Sequence, residues 1–180
     1  MGRSKARLTI GGTTLLLRAC AALRPFTRHL VIAGDDGRPL DVSGAVQLDD
    51  VAGVRGPLAG ILAAQRYDSA ADWLVVGCDM PDFDRKALEW LIEVHDPAAG
   101  ATLGILPGRT KPEPLLAIYA ARSAAALRQA ASDGELALHR ALARIHPHVV
   151  AVPEHLTGQW RNINTPEEWA RFEAERANAR

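Results

Sequence analysis

Lysine is scarce in this chain of 180 residues: three stand against 18 arginines. Charge of one sign is not in excess either, because 21 basic residues balance 21 acidic ones. A protein that grips nucleic acid over a broad face needs a basic surplus, so that class is excluded. A pocket for a small anion needs only a few charges and stays open. Cysteine is rarer still. Cys20 and Cys78 lie far apart with no metal-ligand spacing, and they read as reduced, buried thiols of a cytoplasmic protein. No apolar run approaches the roughly 18 residues of a membrane span. The opening MGRSKARLTIGG is basic but has neither the apolar stretch nor the cleavage site of a signal peptide.

Several catalytic signatures are also missing. No Gly-Lys-Ser/Thr follows a glycine loop, so there is no P-loop, and no G-x-G-x-x-G marks a nicotinamide site. The six histidines form no H-E-x-x-H, and no serine sits in a G-x-S-x-G elbow. Zinc chemistry and a hydrolase triad therefore have no support.

What remains is ordinary globular composition, 48% hydrophobic and 23% charged, with strands and helices in alternation. The pattern predicts a helix from Thr13 to Leu23, a strand at HLVIAG (His29 to Gly34), a turn at Asp35 to Pro39, and a strand at AVQLDD (Ala45 to Asp50). A helix follows from about Pro57 to Tyr67, its proline suited to a first turn. The clearest strand is WLVVGCDMP (Trp73 to Pro81), followed by a helix that Asp84 caps and that runs to about His95. Further strands are predicted at Ala101 to Leu106, Pro114 to Tyr119 and His148 to Pro153. Helices are predicted near Arg122 to Ala131 and Glu135 to Arg144. A last helix opens at Thr165-Pro166-Glu167-Glu168, a capping threonine with acids in the first turn. Apolar strands alternating with helices make an α/β sheet, mostly parallel, covered on both faces. Such sheets bind ligands at the carboxyl ends of their strands.

Asp49-Asp50, Asp79 and the loop Pro107 to Pro112 fall at that rim, and GPLAG and Lys5 are further candidates elsewhere in the chain. Asp79 ends the most apolar strand, and Asp82 and Asp84 are better placed than it to cap the next helix. A lone rim carboxylate, completed by water and substrate phosphates, is a common way to hold Mg²⁺. GPLAG (Gly56 to Gly60) joins a strand to a helix and lets a ligand approach the backbone closely. Lys5 stands in a polar start. In a chain that otherwise uses arginine, its identity carries extra weight, whereas Lys86 sits in an amphipathic helical stretch and reads as solvated.

Taken in order, MGRSKARLTIGGTTLL, DDVAGVRGPLAGI, VVGCDMP, KPEPLLAIY and NINTPEE resemble the molybdenum cofactor guanylyltransferases, within the wider group of molybdopterin nucleotidyltransferases. The resemblance covers nearly the whole chain. It implies one nucleotidyltransferase domain over residues 1–180, folded as a Rossmann-like three-layer sandwich with a mostly parallel sheet. It also implies transfer of GMP from GTP to the phosphate of molybdopterin in the cytoplasm, with Mg²⁺ as cofactor. Transient contact with molybdoenzymes or other cofactor-assembly proteins goes with that role. Lys5 matches the family lysine that meets nucleotide phosphate. Asp49, Gly56 and Pro57 match nucleotide-binding positions, and Asp79 matches the acid that meets both nucleotide and Mg²⁺. Asn162 and Asn164 match a motif on the acceptor side. A cytidylyltransferase of the same fold, or a non-catalytic binding protein, are the alternatives.

Two departures bear on this expectation. A family asparagine after the second strand is replaced by Ala33-Gly34. The family's opening strand and glycine-rich loop, L-A-G-G-x-S-x-R, have no counterpart, since Met1-Gly2 already match the M-G that follows them. The first strand of a doubly wound sheet usually lies in its middle. The expectation is therefore that translation starts roughly a dozen residues upstream, and that the functional protein is longer than this chain.

Overall fold

The computed structural model describes residues 5–34 and 42–178. The turn expected at Asp35 to Pro39 and the Met1-Gly2 pair lie outside them. The chain opens on a short hairpin of β1 (Thr9–Ile10) and β2 (Thr13–Thr14), in which Thr9 faces Thr14 and Ile10 faces Thr13. Its two loop residues, Gly11 and Gly12, both have positive φ, 58° and 81°. That is the backbone a two-residue hairpin turn demands. Helix α1 (Leu15–Leu23) follows directly, with the Thr14 side chain accepting from the Leu17 N–H. The helix thus starts two residues later than the pattern predicts. A threonine pair that suits a cap equally suits a strand, and the Gly-Gly dipeptide was the overlooked signal.

Strands β3 (Leu30–Ala33) and β4 (Ala45–Leu48) pair in parallel. A second sheet has the order β5-β7-β6-β8, from β5 (Trp73–Val76), β6 (Ala101–Ile105), β7 (Leu116–Tyr119) and β8 (His148–Ala151). Strand β7 is antiparallel to both β5 and β6, and β8 is parallel to β6, so three of the four strands run one way. This is the expected α/β class, with one reversed strand inside it.

Alternation along β7 shows how the layers form. Ala117 and Tyr119 join a core with Leu58, Ile61 and Leu62 of α2 (Pro57–Tyr67), Leu127 of α4 (Ala124–Ser132) and Leu142 of α5 (Leu138–Leu142). Leu116 and Ile118 point the other way, toward Leu88 and Leu91 of α3 (Arg85–Glu93), Met80, Leu156 and Trp160. Two apolar cores on opposite faces of one sheet make three layers. Helix α6 (Pro166–Asn178) packs its Phe172 with Ile163, Leu15 and Ile10 in a satellite cluster.

Two elements differ in extent from expectation. α5 is shorter than Glu135 to Arg144, because the Glu135 carboxylate accepts from the Ala137 N–H and from Arg140 Nε and so shapes a turn ahead of the helix. A 3₁₀ turn over Glu154–Trp160 was not foreseen.

Between β3 and β5 the two sheets do not pair among the described residues. A cavity of about 450 Å³ separates them. Its side walls are the strand edges Leu30–Ala33 and Trp73–Val76, and α1 (Leu16, Cys20) and α2 (Gly60, Ile61) close its faces. Lys5, Gly56 and Asp79 stand at its rim.

Close packing makes some glycines obligatory. A Cβ on Gly100 would lie 2.0 Å from the Ile145 carbonyl oxygen, whereas one on Gly158 meets nothing within 4 Å. Gly100→Ala should cost about 1–3 kcal/mol or more of folding stability. Gly158→Ala should stay within about 0.5 kcal/mol of the parent. Urea denaturation of both variants is the measurement, and equal midpoints would contradict the packing described.

Candidate active site

Asp79 is placed by backbone bonds on both sides. As β5 ends, the Gly77 N–H donates to the Leu115 carbonyl at 2.7 Å, and the Asp79 carbonyl accepts from the Ile163 N–H at 2.8 Å. The carboxylate folds back over Gly77, where a Cβ would lie 2.7 Å from Asp79 Oδ1 and 3.2 Å from Leu115 Cβ. Only glycine leaves that space.

Lys5 reaches this carboxylate from the start of the chain. Its Nζ donates to Asp79 Oδ2 at 3.1 Å and to Asn164 Oδ1 at 2.7 Å. The Lys5 and Asp79 side chains are 26% and 19% exposed, so water screens the pair less than it does a surface pair. One ammonium thus joins segments 74 and 159 residues apart in sequence. Cys78, beside Asp79, is a neutral wall. Burial raises its thiol above the usual range, the Asp79 charge adds to that, and Lys5 only partly opposes it.

Asn164 is held by the next helix. Glu168 Oε2 accepts from the N–H groups of Asn164 and Thr165, while Thr165 Oγ1 accepts from the Glu168 N–H. This reciprocal capping box is the one the TPEE motif predicts, and it holds the Glu168 carboxyl below the usual carboxylate range. Asn162 donates from Nδ2 to Glu113 Oε2 at 2.6 Å. Glu113 is thereby drawn to the site although sequence reasoning passed over it. The available signal was an acid between two prolines immediately before a strand.

The nucleotide-side positions divide. Gly56, with φ of 72°, is the N-cap of α2, and Pro57 is that helix's first residue. Both line the cavity that Lys5 and Asp79 border. Asp49 is exposed just beyond β4, and its neighbour Asp50 is the acid that lines the cavity. The structure therefore brings together Lys5, Asp79, Asn164, Gly56 and Pro57, joins Asn162 to Glu113, and leaves Asp49 apart. Ala33-Gly34 also line the cavity. Among the described residues no three His, Cys, Asp or Glu side chains cluster as a metal cage. The single carboxylate of Asp79, given room by Gly77, matches the sparse protein contribution that Mg²⁺ takes when substrate phosphates complete its shell. No helix of the described residues is long and apolar enough to cross a membrane.

Comparison with known proteins follows the same lines. The family model for the MobA-like NTP transferase domain matches residues 1–152. The chain is 32% identical to a probable molybdenum cofactor guanylyltransferase of Opitutus terrae, over 93% of this chain and 86% of the relative. It is also 32% identical to the molybdenum cofactor guanylyltransferase of Rhizobium meliloti, over 97% of this chain and 85% of the relative. Among solved structures it is similar to molybdopterin-guanine dinucleotide biosynthesis protein A from Archaeoglobus fulgidus. The TM-score is 0.78 and the identity 26%, covering 98% of this chain and 92% of that one.

A methyl group at Gly77 must push away either the Asp79 carboxylate or Leu115. Gly77→Ala should lower stability by about 1–3 kcal/mol and separate Lys5 from Asp79. Denaturation together with a crystal structure of the variant checks this. An unchanged midpoint with the ion pair intact would contradict it.

Proposed function

The chain belongs to the MobA-like NTP transferase family, and from that premise we propose that it transfers GMP from GTP to the terminal phosphate of molybdopterin. The observation that carries this reading is Lys5 Nζ, in contact at once with Asp79 on the nucleotide side and Asn164 on the acceptor side. A cation shared by both sides lies where two anionic substrates have to meet.

In this reaction a phosphate oxygen of the pterin forms a new bond to the α-phosphorus of GTP. The bond to the bridging oxygen breaks, and pyrophosphate leaves with the electron pair. The nucleophile is already anionic, so no strong general base is needed, and none of the site residues is assigned one. Catalysis is then mainly positioning and offsetting of charge. Lys5 offsets charge on the triphosphate. At the start of α2 the Gly56 N–H donates to a phosphate or ribose, while Pro57 has no N–H and only fixes the helix's first turn, and Asp50, which lines the cavity, takes the place of Asp49 as the acid on the nucleotide side. Asn162 and Asn164 orient the acceptor. Asp79 is the residue that would hold Mg²⁺, whose charge would lower the cost of bringing two phosphates together. The free thiols Cys20 and Cys78 suit a cytoplasmic setting.

The direct test is pyrophosphate release with molybdopterin and each nucleoside triphosphate in turn. Fastest release with GTP is expected. Preference for CTP would move the assignment to a cytidylyltransferase, and no release with any nucleotide would overturn it. Asp79→Ala should lower turnover by about 10²–10³-fold with the fold retained, and wild-type-like turnover would remove Asp79 from the metal role. Lys5→Ala should raise the apparent KM for GTP by about tenfold, the scale of one charge-assisted contact. Lys86→Ala, on the exposed face of α3, should not. Equal effects of the two would reduce Lys5 to a surface group.

A further inference from the structure

The carboxamides of Asn162 and Asn164 are held by partners of opposite kind. Asn162 donates from Nδ2 to the Glu113 carboxylate, whereas Asn164 accepts at Oδ1 from the Lys5 ammonium. An ionised carboxylate only accepts and an ammonium only donates, so neither amide can turn over without setting like against like. Asn162 therefore keeps its oxygen for a third party, and Asn164 keeps its NH₂. Neither of these groups has a partner among the described residues. Ile163 between them is 1% exposed, and its N–H is tied to Asp79, so the two asparagines flank a fixed point of the backbone.

Glu113 is itself rigidly set. Its Oε1 accepts from the Leu115 N–H at 2.9 Å, its own N–H donates to the Gly104 carbonyl at 2.9 Å, and Pro112 and Pro114 flank it. Such a group orients its neighbour and does not follow it.

We propose that Glu113 is a positioning residue: with Lys5 it fixes an acceptor on Asn162 and a donor on Asn164, and this pair selects a ligand edge that presents an N–H beside a C=O. The lactam edge of a fused heterocycle has that chemistry, and both a pterin and guanine carry one. Asn162 and Asn164 stand on the acceptor side in the function proposed above, on which the inference rests, so the edge read is the pterin's.

Glu113→Gln tests it. Glutamine has one accepting and one donating end. The Leu115 N–H takes the oxygen, so the NH₂ meets Asn162 and turns that carboxamide over, offering the ligand a donor where it needs an acceptor. The KM for molybdopterin should rise by about tenfold or more, while that for GTP stays within about twofold. In an Asn162→Ala background the same change should add nothing, since coupled residues are not additive. In the ligand-free protein, the side-chain amide resonance of Asn162 in heteronuclear NMR should move in Glu113→Gln and stay put in Glu89→Gln. An unmoved resonance, or additive effects on KM, would overturn the role of Glu113. A rise in the GTP KM alone would overturn the assignment to the pterin. If molybdopterin is no substrate at all, the proposed function fails, and the amide resonance still decides whether Glu113 sets Asn162.

Discussion

The contact of Lys5 Nζ with both Asp79 and Asn164 organises the rim of this molecule. An ammonium withdrawn from water needs acceptors, and here they come from the end of β5 and from the segment before α6. Each acceptor has its own support. Gly77 leaves room for the Asp79 carboxylate, the Ile163 N–H holds the Asp79 carbonyl, and the capping box of α6 holds the Asn164 backbone. The far ends of the sequence thus converge through a handful of polar contacts, with the apolar layers beneath serving as their platform.

That platform also explains Glu113. Tyr119, fully buried at the end of β7, donates its hydroxyl to the Pro114 carbonyl at 3.0 Å. Burial, with the Glu113 charge adding to it, drives the phenol well above its usual range, so it remains a neutral donor. The bond ties the Pro114 carbonyl, beside Glu113, to the core, and the carboxylate that orients Asn162 inherits the stiffness of the sheet. Between β3 and β5 the two sheets stand apart among the described residues, and the cavity there brings the start of α2 and the tip of β5 to a common edge.

Much of this was legible in the amino acids. Short apolar runs marked β3, β5, β6 and β7, and the proline of GPLAG and the acid Asp84 marked the starts of α2 and α3. Asp79 and Lys5 stood out from position and residue scarcity, and the resemblance added the two asparagines. What was not legible depends on contacts between distant segments. No local pattern shows that β7 runs backwards, since an apolar run has no direction. None shows that Asp50, one residue beyond Asp49, is the one turned to the cavity, because the end of a strand decides which side chain faces in. Glu113 reads as a loop acid until Asn162, 49 residues away, is seen to donate to it.

In the function proposed, the two substrates meet at the α-phosphate of a nucleotide beside Lys5 and Asp79. GTP labelled at its α-phosphate, incubated with the chain and molybdopterin, tests this most directly. The label should move onto the pterin with one pyrophosphate released for each transfer, and should fail to move when Asp79 is replaced by alanine. Label that remains in GTP or GDP while the pterin is consumed would contradict that function.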